Sequence, residues 1–118
     1  MNDRAQDSMA SQARQDATIP QRDEVLTKLR AFLHERGAAY GLEALGCFGS
    51  VARSEATASS DVDVVFRASP AAKLTLFDLA LLQEELALLL GHRVDIVELR
   101  QGMSARLRER LEREASYA

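Results

Sequence analysis

The stretch Gly49–Asp63, GSVARSEATASSDVD, decides how this chain reads. Cys47 and Phe48 close an apolar run, Gly49 breaks it, and Ser50-Val51-Ala52-Arg53 can open a short helix. A strand that passes through a glycine turn into a helix start leaves backbone N–H groups free at the positive end of the helix dipole, where phosphate oxygens bind well. At the far end of the stretch, Ser60-Asp61-Val62-Asp63 leads into Val64-Val65-Phe66. Alternate residues of a strand share a face, so Asp61 and Asp63 are expected to point the same way. Two carboxylates on one face repel unless a cation lies between them, and hard oxygen donors suit Mg²⁺ with nucleotide phosphates completing its shell. An isolated Asp-x-Asp reads as a solvated turn beside a strand-edge charge. Coupled to the Gly49-Ser50 turn at this spacing, it reads as phosphate and divalent metal together.

Working outward, Val25, Leu29, Phe32 and Leu33 recur at helical spacing from Gln21, just after Pro20, and Gly37 supplies a stop. Leu42 to Phe48 reads as a short strand delivering the Gly49-Ser50 turn, with Asp63 to Arg67 as its partner and the phosphate loop between them. Pro70 marks the break that follows. Leu76, Leu79, Leu82, Leu86 and Leu89 recur at spacings of three and four within Leu74–Leu90, the helix expected to pack across the sheet, and Gly91 ends it. Val94-Asp95-Ile96-Val97 follows as a third strand, and Ser104 to about Ala115 as a final helix carrying Leu107 and Leu111. Met1 to about Ile19 is polar, without a sustained apolar period, and reads as a flexible or partly helical lead-in over residues 1–20, ahead of one domain over 21–118.

Asp95 is a lone acidic residue inside an apolar β run, a costly placement unless its charge is paired or coordinates something. An edge-strand charge facing water is the plain alternative, and Glu98, farther along the run, is the weaker rival for the same role. His34 near the end of the first helix and His92 after Gly91 have no partner at metal-ligand spacing. Arg100, Arg106, Arg108, Arg110 and Arg113 are interleaved with Glu109, Glu112 and Glu114, a pattern of a solvated helix surface or one that meets a charged partner.

Composition narrows the class. At 118 residues the chain has room for one core, and 47% hydrophobic with 28% charged content suits a soluble globular domain. A net charge of −3 argues against gripping long nucleic acid through its backbone, which needs a basic face, so a templated polymerase is not expected. The single cysteine, Cys47, leaves no disulfide and no zinc cluster and reads as a buried strand residue in a reducing compartment. No apolar run approaches membrane-spanning length and no signal-peptide core is seen, so a cytoplasmic protein is expected.

Gly-Ser-x-Ala-Arg-Gly, a short variable loop, then Ser-Asp-x-Asp and an apolar strand is the signature of the polymerase-β-like nucleotidyltransferases, and the chain resembles their minimal members, the MNT domains. Gly49, Ser50, Ala52, Arg53, Ser60, Asp61 and Asp63 fall on the motif positions. Ser54 departs from it, standing where the family usually has glycine, so a turn that tolerates positive φ must here be made by a residue with a Cβ. The resemblance implies an α/β (α+β) fold, a small mixed sheet with helices mainly on one face and three acidic side chains on the open side. It also implies that Asp95 supplies the third carboxylate of the metal site. On that footing Gly49 and Ser50 hold the terminal phosphates, Asp61 and Asp63 hold Mg²⁺ on the triphosphate, and Asp61, Asp63 and Asp95 hold a second ion that activates the incoming hydroxyl, with Asp95 able to accept its proton. Arg53 either reaches phosphate or ties the loop to a carboxylate. Ser60 belongs to the nucleotide loop as the turn residue that fixes the approach of Asp61.

Such minimal domains are commonly antitoxins paired with a helical HEPN-type ribonuclease toxin. The resemblance therefore implies transfer of AMP from ATP to a tyrosine of that toxin, within a complex of the two proteins. Neutralisation by binding alone, with an idle site, and transfer to a small molecule of aminoglycoside type are the alternatives. The lack of a second domain in this sequence speaks against the last.

Overall fold

A computed structural model of the chain describes residues 19–100 and 102–118. The expected lead-in over residues 1–20 lies almost wholly outside them. Helix α1 (Arg22–Tyr40) is followed by strand β1 (Leu42–Phe48), a single helical turn α2 (Gly49–Ala52) and strand β2 (Val62–Ala68). Then come α3 (Leu76–Leu90), β3 (Val94–Glu98), α4 (Ala105–Glu114) and a two-residue strand β4 (Ser116–Tyr117). The strands form one mixed sheet in the order β3-β2-β1-β4, with β2 parallel to β3 and β1 antiparallel to both β2 and β4. This is the expected fold class.

Strand alternation sorts the sheet into two unlike faces. Val62, Val64 and Phe66 of β2, with Leu45 and Cys47 of β1, join the core against Val25, Leu29 and Phe32 of α1 and Leu82, Leu86 and Leu90 of α3. The intervening positions, Asp63, Val65 and Arg67, face the other way. Val65 and Leu111, the buried residue of α4, are enclosed but stand outside that main core. Cys47 is fully buried, as expected, and burial pushes its thiol up to about 11. Among the described residues no helix is long and apolar enough to cross a membrane.

Several elements differ from the sequence expectation in instructive ways. α1 does not stop at Gly37 but runs on to Tyr40. Gly37 is a buried helical residue whose side-chain space is occupied by Leu33, and the stop comes from Gly41, in the left-handed region at φ 66° with its N–H on Ala38 O. α3 starts at Leu76 because Thr75 and Asp78 form a reciprocal cap: Asp78 N–H donates to Thr75 Oγ1 at 3.1 Å and Thr75 N–H to Asp78 Oδ2 at 2.8 Å. Its buried side is Leu82, Leu86 and Leu90, while Leu76 is 85% exposed. β4 went unread, since two residues carry no period. α1 and α3 are joined by Arg36, which donates through Nε and Nη2 to the two oxygens of Glu85 at 3.1 Å each, and by the Tyr40 hydroxyl, which donates to the same carboxylate.

Candidate active site

β1 ends on Phe48, which lies opposite Asp63 in the β1–β2 register. The chain then turns at Gly49, whose φ of +71° is in the region open to glycine, and rises into the single turn α2. The glycine also permits a close contact. A Cβ built on Gly49 would stand under 3.0 Å from Asp63 Oδ2, so the carboxylate rests directly against the bare α-carbon. The two halves of the motif, fourteen positions apart in the chain, meet in one contact.

The parallel pairing of β2 with β3 sets Asp63 abreast of Asp95. Glu98, the rival position, is paired with Phe66 instead, out of phase with Asp95 and on the core side of the register. Against the expectation of a costly placement, Asp95 sits exposed on an edge strand, as the plain alternative had it, so its charge is not buried and register alone sets it beside Asp63. Asp61, just before β2, lies 3.9 Å from Arg93 Nε. Asp63 is half-buried, and its carboxyl is pushed above the usual aspartate range by burial first and then by the charges of Asp95 and Asp61, with Arg53 opposing. Among the charges acting on Asp63, two acids are set against one cation.

Whether these residues suit Mg²⁺ can be judged from their chemistry. All three donors are oxygens, the type Mg²⁺ prefers, and Mg²⁺ in nucleotide sites is held by one or two carboxylates with phosphates and water filling the rest. Among the described residues no three His, Cys, Asp or Glu side chains converge closely enough to hold an ion unaided. The arrangement fits an ion held jointly with a nucleotide, with Asp61 released from Arg93, a guanidinium 89% exposed whose hold is weak in water.

The loop between the carboxylates and the turn is tied down by its own residues. Arg53 Nε contacts Glu55 Oε1 at 2.6 Å, and its Nη1 lies 3.7 Å from Glu114 of α4. Both contacts are with carboxylates of the loop and of α4. Ser54 takes φ 59°, the one non-glycine residue with positive φ among the described residues, at the position where glycine was missed. Ser60 Oγ accepts from Thr57 N–H at 2.8 Å and Ser60 N–H donates to Thr57 O at 3.0 Å, a closed turn leading into Asp61. The Asp61–Arg93 and Arg53–Glu114 pairs escaped sequence reading because each joins residues far apart in the chain and carries no motif.

The family model for the nucleotidyltransferase domain matches residues 26–117. The chain belongs to this nucleotidyltransferase family. Protein adenylyltransferase MntA of Thermococcus cleftensis is 38% identical over 82 residues, covering 68% of this chain and 76% of the relative. A solved structure described as a minimal nucleotidyltransferase is 41% identical with a TM-score of 0.64, over 79% of this chain and 92% of the other. A toxin–antitoxin complex solved with AMP-PNP is 25% identical with a TM-score of 0.63, over 77% of this chain and 69% of the other. In this nucleotidyltransferase, the sheet brings the Gly49 turn, Asp63 and Asp95 together at neighbouring ends of β1, β2 and β3.

Proposed function

We propose that this nucleotidyltransferase is an antitoxin that moves AMP from ATP to a tyrosine hydroxyl of a HEPN-type toxin and so silences it. The observation that carries the reading is the register pair Asp63–Asp95 beside the Gly49 turn, two carboxylates at one end of the sheet with the loop that the family uses for phosphate. The relative bearing the name protein adenylyltransferase, and the complex of a similar chain with a toxin and an ATP analogue, support protein as the acceptor and ATP as the donor.

The chemistry asked of the residues is limited. The tyrosine oxygen attacks the α-phosphorus, the bond between that phosphorus and the bridging oxygen to the β-phosphate breaks, and pyrophosphate leaves. Gly49 and Ser50 bind the terminal phosphates and orient that bridge in line with the attacking oxygen. Asp95, the most exposed of the three carboxylates, receives the phenol proton. Asp61, Asp63 and Asp95 would hold Mg²⁺, which supplies the positive charge that offsets both the triphosphate and the crowded carboxylates. Arg53 and Ser60 keep the loop in place.

The test is intact-mass spectrometry of the product of the adjacent open reading frame after incubation with this chain, Mg²⁺ and ATP, with the Asp61→Asn, Asp63→Asn double variant as control. Added AMP that depends on the carboxylates is the expected result. Unmodified toxin in a stable complex would move the function to neutralisation by contact.

A further inference from the structure

The outward side of α3 is apolar where a helix covering a sheet is ordinarily polar. Phe77 and Leu81 stand one turn apart and Leu88 two turns beyond on the same side, with Glu84 at the turn between, and the three are 71%, 39% and 78% exposed. The core takes nothing from them, since the helix is anchored by Leu82, Leu86 and Leu90. Large apolar side chains left exposed together on one helix face mark a place where another molecule binds.

Two features say what that molecule is. Beside these residues, a cleft of about 310 Å³ is lined by Ala80, Gln83, Glu84 and Ala87 of α3 and by Arg93 and Asp95, so it joins the exposed side of α3 to one of the three carboxylates, Asp95. Gln83 holds that groove in shape by donating from Nε2 to Val94 O at 2.7 Å. Because β3 is the edge strand, the groove is open to an approaching surface.

Charge supplies the second feature. α3 carries Asp78, Glu84 and Glu85 and no lysine or arginine. Asp78 is used by the Thr75 cap and Glu85 by Arg36 and Tyr40, whereas Glu84 is exposed and in no ion pair among the described residues. Glu84 is therefore the acid of this helix left to meet a partner's charge, and it favours an occupant that carries a cation there.

We propose that the Phe77–Leu81–Leu88 stripe and the groove from it to Asp95 form the docking surface for the protein acceptor, received as an apolar helix face with a lysine or arginine opposite Glu84. This rests on the reading that the acceptor is a protein. A partner seated there by helix-in-groove contacts brings its hydroxyl to the open edge of the site.

The test uses the full chain and, as the toxin probe, the purified product of the adjacent open reading frame, in two readouts. Toxin binding is measured by calorimetry without nucleotide, and AMP addition by intact mass. The Phe77→Asp, Leu88→Asp double variant is expected to weaken toxin binding about tenfold or more, since anchor residues at interfaces carry effects of that size. Glu84→Lys is expected to weaken it further than Glu84→Gln. Binding of a fluorescent ATP analogue and the thermal midpoint should stay at wild-type values, because the altered side chains are exposed.

Variants that bind and modify the toxin like wild type would overturn the docking surface and leave the transfer reading standing. Wild type that binds toxin without adding AMP would remove the transfer reading, and the variants would still decide the surface. Loss of self-association in the double variant, with toxin binding intact, would assign the stripe to a second copy and overturn the proposal.

Discussion

Replacing Gly49 and Gly91 separately with alanine would divide backbone strain from damage to the site. Both glycines have φ +71°, so each alanine meets the same left-handed penalty, about 1–2 kcal/mol. For a domain of this size that corresponds to a fall of roughly 4–8 °C in thermal midpoint per kcal/mol. Their surroundings differ. A Cβ at Gly91 meets nothing within 4 Å, whereas one at Gly49 would stand under 3.0 Å from Asp63 Oδ2, closer than real Cβ contacts come. The Asp63 carboxylate can swing aside because it is the end of a side chain, so the added stability loss at Gly49 is modest. The catalytic loss is not, since misplacing a reacting group by about 1 Å costs roughly a hundredfold. Gly49→Ala should therefore unfold at nearly the temperature of Gly91→Ala while its AMP-transfer rate falls ten- to a hundredfold by the same reasoning, about 1.4–2.7 kcal/mol in barrier. Denaturant unfolding and single-turnover transfer would measure the two effects. Equal transfer rates for the two variants would refute the claim that the glycine exists to seat Asp63.

Asp63→Asn should raise the stability of the nucleotide-free protein at neutral pH while abolishing transfer. The carboxyl is raised in the folded state, so its ionised form opposes folding above that raised value, and the penalty is relieved as pH falls through it towards the ordinary aspartate value. The advantage of the asparagine variant in urea midpoint should therefore shrink in acid, and an advantage that grew on acidification would contradict the assignment. Ser54→Gly should keep full transfer activity and leave stability unchanged or higher by up to about 1 kcal/mol. It relieves a residue with a Cβ at φ 59°, set against greater freedom of the unfolded chain. A clear fall in denaturant midpoint would show that the Ser54 side chain contributes something the backbone does not reveal.

By itself the sequence determined the parts whose signals are local. Leu42–Phe48 and Val94–Val97 are legible as strands because their apolar runs are bounded by glycine or charge, and the Gly49–Asp63 motif is legible because its residue types and spacing name a chemistry. The end of α1 was not, because a glycine within a helix and a glycine beyond it look alike in one dimension. Only packing against Leu33 and the φ of Gly41 separate Gly37 from the true stop. Asp95 could be singled out as an acid in an apolar run, but its standing beside Asp63 follows from the parallel register of β2 with β3, which no local pattern carries. The same holds for α3. Its many leucines announced a helix, while which of them face the core and which face water was decided by how the sheet sits beneath it. Local chemistry is written residue by residue. Proximity between distant residues is a property of the packed chain, and it exists only once the sheet has brought β1, β2 and β3 together.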